Sequence, residues 1–186
     1  AGTKRRVEEM TWSEIRRLNL GDIYGAQWNG IRVARLEEIL DLVSDGETGL
    51  NIHLKTPGPD GALLRLLKQE LTGRNLLTQA YVGGECDVLD AAVALAPRIP
   101  RSCMAHQQDP VKLVDFAIRY QCRYLQFFTN FRPEDAARAH EAGIRCNLFW
   151  ADDYPAAAAA VAAGIDTVLS NVVPELLNAP DSIFAW

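Results

Sequence analysis

The chain has 186 residues, a formal net charge of −5 and four cysteines. That length accommodates one domain with a sizeable core, and 48% hydrophobic with 23% charged residues excludes a chain disordered throughout. The acidic balance leaves no basic excess to neutralise phosphates, which argues against nucleic acid as a partner, and no apolar run is long enough for a transmembrane helix.

Two helices are expected first. Thr11-Trp12-Ser13-Glu14 reads as a capping box, with Thr11 accepting from the third backbone N–H while Glu14 reaches back. Met10 and Ile15 are placed for the accompanying hydrophobic staple, and Gly21 is expected to end the helix. Gly25, Asn29 and Gly30 make residues 22–33 a loop. Leu36, Ile39, Leu40 and Val43 then recur at i, i+3, i+4 and i+7, which predicts an amphipathic helix over 35–43.

After Gly46 a short apolar run alternates with a helical segment six times. The predicted strands are 50–55, 77–82, 102–105, 124–128, 145–150 and 167–170. Asp109-Pro110, Arg132-Pro133 and Tyr154-Pro155 put proline at the first position of the intervening helices. Gly73, Gly143 and Gly164 sit where left-handed C-terminal caps are needed. The expectation is a single domain over 1–186, with a leading segment and helix in 1–45 and strand–helix units in 46–186. Six consecutive units imply a parallel α/β sheet with right-handed crossovers. An open doubly wound sheet and a (β/α)8 TIM barrel compete. A doubly wound nucleotide binder carries a glycine fingerprint after its first strand. Here Lys55 is followed by Thr56-Pro57-Gly58-Pro59-Asp60-Gly61, whose prolines remove N–H donors a phosphate cradle needs. The barrel is therefore favoured, incomplete because only six of its units are visible.

In such barrels the reactive groups sit at the carboxyl ends of the strands. Those ends offer His53 and Lys55, then Tyr81, His106, Phe128-Thr129-Asn130, Trp150-Ala151-Asp152-Asp153 and Ser170-Asn171. Strand alternation places His53 and Lys55 on one face. A lysine there suits a phosphate or carboxylate, and a histidine can be acid, base or metal ligand. Simpler roles are open to each. Lys55 can be solvated, His53 structural, His106 a surface residue and Trp150 a filler of the barrel mouth. Asp152 and Asp153 can merely cap the next helix, and His140 lies mid-helix and reads as structural. Cys86, Cys103, Cys122 and Cys146 are widely spaced, so neither a disulfide framework nor a structural zinc site is expected. They read as small core residues. A reducing, cytoplasmic setting is the default, with no signal peptide visible.

Residues 36–43, Leu-Glu-Glu-Ile-Leu-Asp-Leu-Val, followed by Asn51-Ile52-His53-Leu54-Lys55, resemble the middle of a glycerophosphodiester phosphodiesterase. That family shows a Leu-Glu-Glu-Val-Leu helix before an Asn-Ile-Glu-Leu-Lys strand. Residues 6–14 are similar to the segment inserted ahead of that helix. Phe149-Trp150-Ala151-Asp152-Asp153 resembles a Trp-Thr-Val-Asn strand end, and residues 164–171 a Gly-Val-Asp-Gly-Ile-Ile-Thr-Asp final strand. The resemblance runs over nearly the whole chain, in order. It implies a (β/α)8 barrel and a phosphoric diester hydrolase of lipid metabolism. The implied reaction is metal-dependent cleavage of glycerophosphodiesters to an alcohol and glycerol 3-phosphate.

The departures are equally specific. The family's His-Arg-Gly, Glu-x-Asp and His-Asp motifs, which supply the acid/base histidines and two metal carboxylates, find no match. The resemblance thus implies a family domain whose N-terminal part is missing here, with self-association through open barrel edges as one consequence. His53 replaces a metal-ligating glutamate, which shifts preference from magnesium or calcium towards a transition metal. Lys55 matches the phosphate-contacting lysine, Trp150 the aromatic near the glycerol pocket, and Ala80-Tyr81 a Ser-Phe pair. Asn171 replaces an aspartate. Three functions compete: hydrolysis by the complete parent protein, a catalytically degenerate domain that binds phosphodiesters or a protein partner, and an unrelated barrel enzyme for a phosphorylated metabolite.

Overall fold

The computed structural model describes residues 3–44, 48–179 and 182–184. The expected boundary at 45/46 lies outside the described residues. The chain divides into two compact units, Ala1–Glu47 and Thr48–Trp186.

In the first unit, α1 (Trp12–Arg16) begins on the expected capping box: Thr11 Oγ1 accepts from Glu14 N, and Thr11 N donates to Glu14 Oε2 at 2.8 Å. The helix stops before the expected Gly21 because the chain turns back on itself. Asn19 Oδ1 accepts from Gly30 N at 3.0 Å, and Leu20 N donates to Ile31 O at 2.9 Å. Gly21 is needed there, since a Cβ on it would lie 1.7 Å from Trp28 O. The expected loop contains two short 3-10 turns, Asp22–Tyr24 and Ala26–Trp28. Helix α2 (Leu36–Val43) starts on a bond from Arg35 N to Glu38 Oε2 at 2.7 Å. Arg16 ties it to α1 through a two-pronged contact with Glu38, at 3.1 and 3.0 Å.

The second unit is a six-stranded parallel sheet. Its strands are β1 (Leu50–His53), β2 (Ala80–Gly84), β3 (Arg101–Cys103), β4 (Tyr124–Phe127), β5 (Arg145–Phe149) and β6 (Thr167–Leu169). They pair in sequence order from β1 to β6, with the helices α3 (Ala62–Gly73), α4 (Cys86–Leu95), α5 (Pro110–Arg119), α6 (Pro133–Glu141) and α7 (Tyr154–Ala162) between them in turn. This order has no reversal point, which excludes the doubly wound alternative. The sheet curls into a half-barrel of the (β/α)8 type. Among the described residues, β1 and β6 each have a strand neighbour on one side only.

Two-residue alternation sorts the side chains. Cys103, Leu125, Phe127, Cys146 and Leu148 point outward into a buried cluster with residues of the helices α5 and α6, among them Leu113, Ala117, Ala136 and Ala139. At the amino end, the buried Arg101 donates to three carbonyls, those of Tyr120, Pro97 and Gln121, at 3.0, 3.3 and 3.2 Å. Strand β2 starts three residues later than expected and runs through Gly83 and Gly84. A Cβ on Gly84 would meet Val88 Cβ at 2.6 Å, so here glycine marks close packing within a strand.

Phe127 is fully buried, whereas Leu42 is 79% exposed. Phe127→Ala is expected to cost about 3–5 kcal/mol of stability through the cavity it leaves. Leu42→Ala should stay within about 0.5 kcal/mol. Urea denaturation of the two variants beside the wild type checks both values.

Candidate functional site

The carboxyl end of β1 carries the residues singled out from the sequence. Leu54 N donates to Gly83 O at 2.9 Å, so the ladder continues one residue past the strand. Exposure alternates through this stretch: Asn51, His53 and Lys55 are exposed, Ile52 and Leu54 half-buried. His53 and Lys55 therefore share a face, and Asn51 shows it to be the concave one. An ideal Cβ at Gly83, the register partner of His53, would lie 3.7 Å from Asn51 Oδ1 and 3.6 Å from Ser102 Cβ. Partial burial and then the Lys55 charge push the His53 pKa below the ordinary imidazole value. The ring is thus neutral at neutral pH and able to accept a proton.

Tyr81 lies deeper than the strand-end position expected for it, because β2 extends to Gly84. It pairs in register with Asn51, its ring stacks on Tyr124 with centroids 4.1 Å apart, and its hydroxyl accepts from Asn147 Nδ2 at 3.0 Å. That bond joins β2 to β5 across the concave face. With the oxygen accepting from Asn147, the phenolic proton is free to donate elsewhere. Burial raises the Tyr81 pKa and keeps that proton in place. Asn147 is itself buried, and its Oδ1 has no hydrogen-bond partner among the described residues.

Aromatic rings line the carboxyl ends of β4 and β5. Phe128 and Phe149 have centroids 5.8 Å apart, and Phe149 meets Trp150 edge-on at 4.8 Å. With Gln108, Thr129 and Asn130 they line a cavity of about 640 Å³. Trp150 is 49% exposed, so its indole is available to a ligand. Beside it, Asp152 Oδ1 accepts from Asn171 N at 2.7 Å and from Ser170 Oγ at 3.1 Å, while Oδ2 accepts from Asn171 Nδ2 at 2.9 Å. The Asn171 amide, followed by its backbone N–H, holds the Asp152 pKa below the ordinary carboxylate value. Asp152 thus fastens the end of β5 to the end of β6, a role that the sequence did not single out. Capping falls to Asp153 alone, which accepts from Ala156 N at 2.9 Å.

His106 is exposed, with its ring 4.5 Å from that of Phe116. His140 stands at the opposite, amino end of the sheet. Among the described residues, the three-donor cluster of His, Cys, Asp or Glu is His140, Cys146 and Asp166, and His53 is not part of it. A lone imidazole beside a lysine cation does not fit a divalent metal.

No family model matches the chain. A curated glycerophosphodiester phosphodiesterase from Caldanaerobacter subterraneus subsp. tengcongensis is 22% identical over 178 residues, covering 92% of this chain and 72% of that protein. A crystal structure from Silicibacter pomeroyi DSS-3, of a protein assigned as a glycerophosphoryl diester phosphodiesterase, superposes with a TM-score of 0.74 at 22% identity, over 91% of this chain and 67% of the other. An Oleispira antarctica phosphodiesterase in complex with the product sn-glycerol-3-phosphate superposes with a TM-score of 0.68 at 21% identity, over 89% and 68%. The six-stranded parallel sheet thus matches part of the (β/α)8 barrel of glycerophosphodiester phosphodiesterases.

Proposed function

We propose that the chain supplies the phosphate- and alcohol-binding wall of a barrel that hydrolyses glycerophosphodiesters to an alcohol and glycerol 3-phosphate in the complete parent protein. The observation that carries the reading is the shared concave face of His53 and Lys55 on a sheet superposable on a phosphodiesterase that holds sn-glycerol-3-phosphate. In this reading Lys55 receives the phosphate as a point charge. The Tyr81 phenol donates to an ester or phosphate oxygen, and the Trp150 face packs on the carbon skeleton of the glycerol or leaving alcohol. His53 stays neutral beside Lys55 and accepts a proton. By resemblance the parent would use a divalent metal, magnesium, calcium or a transition metal, which needs carboxylate ligands beyond the His53–Lys55 pair. Among the described residues β1 and β6 each pair on one side only, and in this reading such edges would favour self-association.

The second reading is a catalytically degenerate domain that binds phosphodiesters or a protein partner. Its support is the donor set: at the carboxyl ends the described residues bring a histidine and a lysine together, without clustered metal carboxylates. Acid/base groups typically contribute about 10²–10⁴-fold each. Purified 186-residue chain is therefore expected to show negligible turnover of glycerophosphocholine while retaining glycerol 3-phosphate binding. Robust turnover, with contaminating enzyme excluded, removes the degenerate reading.

Lys55→Ala is expected to weaken glycerol 3-phosphate binding about tenfold or more, as loss of a charge-assisted hydrogen bond does, with an unchanged circular dichroism spectrum. Calorimetric affinities equal in wild type and variant would sink the phosphate role of Lys55. The same substitution removes a cation that holds the His53 pKa down. The His53 titration midpoint, followed by NMR, is therefore expected to move upward in Lys55→Ala. A midpoint that stays put or falls would show that the two side chains do not share a field.

A further inference from the structure

We infer that His140, Cys146 and Asp166 form a binding site for a borderline-soft divalent cation, with zinc the ion their chemistry suits best. Their imidazole nitrogen, thiol sulfur and carboxylate oxygen lie within 4.8 Å of one another. The site is independent of the phosphodiester reading and lies at the other end of the sheet. Cys146 is the second residue of β5, and Asp166 immediately precedes β6. His140 belongs to the last turn of α6.

The three side chains already converge. Asp166 Oδ2 meets His140 Nε2 at 2.9 Å and accepts from Cys146 N at 2.7 Å. Asp166 N donates back to Cys146 O at 2.8 Å, so backbone pairing fixes the carboxylate against the strand. Cys146 Sγ points under α6, 3.9 Å from Ala136 O. A Cβ on Gly164, which turns at φ +100°, would lie 3.1 Å from Ala136 Cβ and 3.8 Å from His140 Cε1, so the loop before β6 passes close to the histidine.

Tetrahedral zinc holds sulfur at about 2.3 Å and nitrogen or oxygen at about 2.0–2.2 Å. Donor atoms in such a site are therefore about 3.3–3.7 Å apart. Rotation of His140 and a small movement of the Asp166 carboxylate bring the present donors into that range. The ion replaces the His140–Asp166 hydrogen bond, and the thiol releases its proton to solvent as the sulfur–metal bond forms. His140 and Asp166 side chains are 40% and 30% exposed, which gives the ion an entry path and leaves a fourth position for water. Burial, reinforced by the Asp166 charge, pushes the Cys146 thiol up to about 12, so without an ion the sulfur stays protonated. Sulfur, nitrogen and oxygen together select zinc or cobalt over magnesium and calcium, which take oxygen alone.

The test uses the 186-residue chain freed of metal with a chelator and titrated with Co(II), then Zn(II). One equivalent of Co(II) is expected to produce a thiolate-to-cobalt charge-transfer band with tetrahedral visible absorption, and Zn(II) to displace it and raise Tm. Cys146→Ser should abolish the band, and His140→Ala should weaken binding at least tenfold. His53→Ala should leave both unchanged, and Cys146→Ser should bind glycerol 3-phosphate as the wild type does. His140 is on the surface of its helix, so His140→Ala decides the matter even if Cys146→Ser fails to fold. Absence of the band in the wild type, its survival in folded Cys146→Ser, unchanged affinity in His140→Ala, or its loss in His53→Ala would each overturn the site.

Discussion

A curled parallel sheet has room for polar groups on its concave side only if its convex side holds the core. Here the two-residue period enforces that division. Cys103, Leu125, Phe127, Cys146 and Leu148 face the helices, and this buried cluster supplies the hydrophobic stabilisation of the unit. Their neighbours along the same strands, Ser102, Gln126 and Asn147, are released for other work, as is the His53–Lys55 pair at the end of β1. A one-residue slip in any strand would exchange the two sets, placing apolar groups in the mouth and amides under the helices. Register is therefore the quantity on which both stability and the candidate site depend.

The two ends of the sheet carry different chemistry. The amino end is held by Arg101, whose guanidinium gathers three backbone carbonyls, and by the contacts of Asp166 with His140 and Cys146. The carboxyl end carries exposed rings, a lysine and a neutral histidine. Even there one polar group serves cohesion. Asp152 takes three hydrogen bonds from Ser170 and Asn171, and an aspartate in place of Asn171 would set two carboxylates against each other. The asparagine at this position, where the resemblance implies an aspartate, is thus suited to the residue it touches.

The strand–helix rhythm was legible because β strands buried on their convex face are short apolar runs bounded by Pro, Gly and Asp signals. All six strands fall near their expected positions. The misplacement of β2 has a physical cause. The expected strand stops at Val82, whereas Gly83 and Gly84 continue it, and at Gly84 Val88 approaches too closely for a side chain. The early end of α1 was hidden for a related reason: the bond from Gly30 to Asn19 joins residues eleven apart, beyond the reach of local patterning. At the candidate site, His53 and Lys55 were visible from their spacing alone. The bond between Tyr81 and Asn147 was not, since 66 residues separate them. Nor was the cluster of His140, Cys146 and Asp166, because its three members come from a helix, a strand and a loop with no motif spacing. His140 read as structural and Cys146 as a core residue for lack of any local sign of the other two.

The Tyr81–Asn147 hydrogen bond has a mechanical consequence. It runs from β2 to β5, so it is a chord across the arc that the strands between them trace. A chord of fixed length sets the radius of an arc. The stack of Tyr81 on Tyr124 props the same span from within, so the phenol works as tie and spacer together. Curvature in this half-barrel is therefore maintained from its hollow side as well as by the twist of its strands. A ligand that drew the Tyr81 hydroxyl away from Asn147 would loosen the arc it sits in, which couples occupancy of the hollow to the width of its mouth.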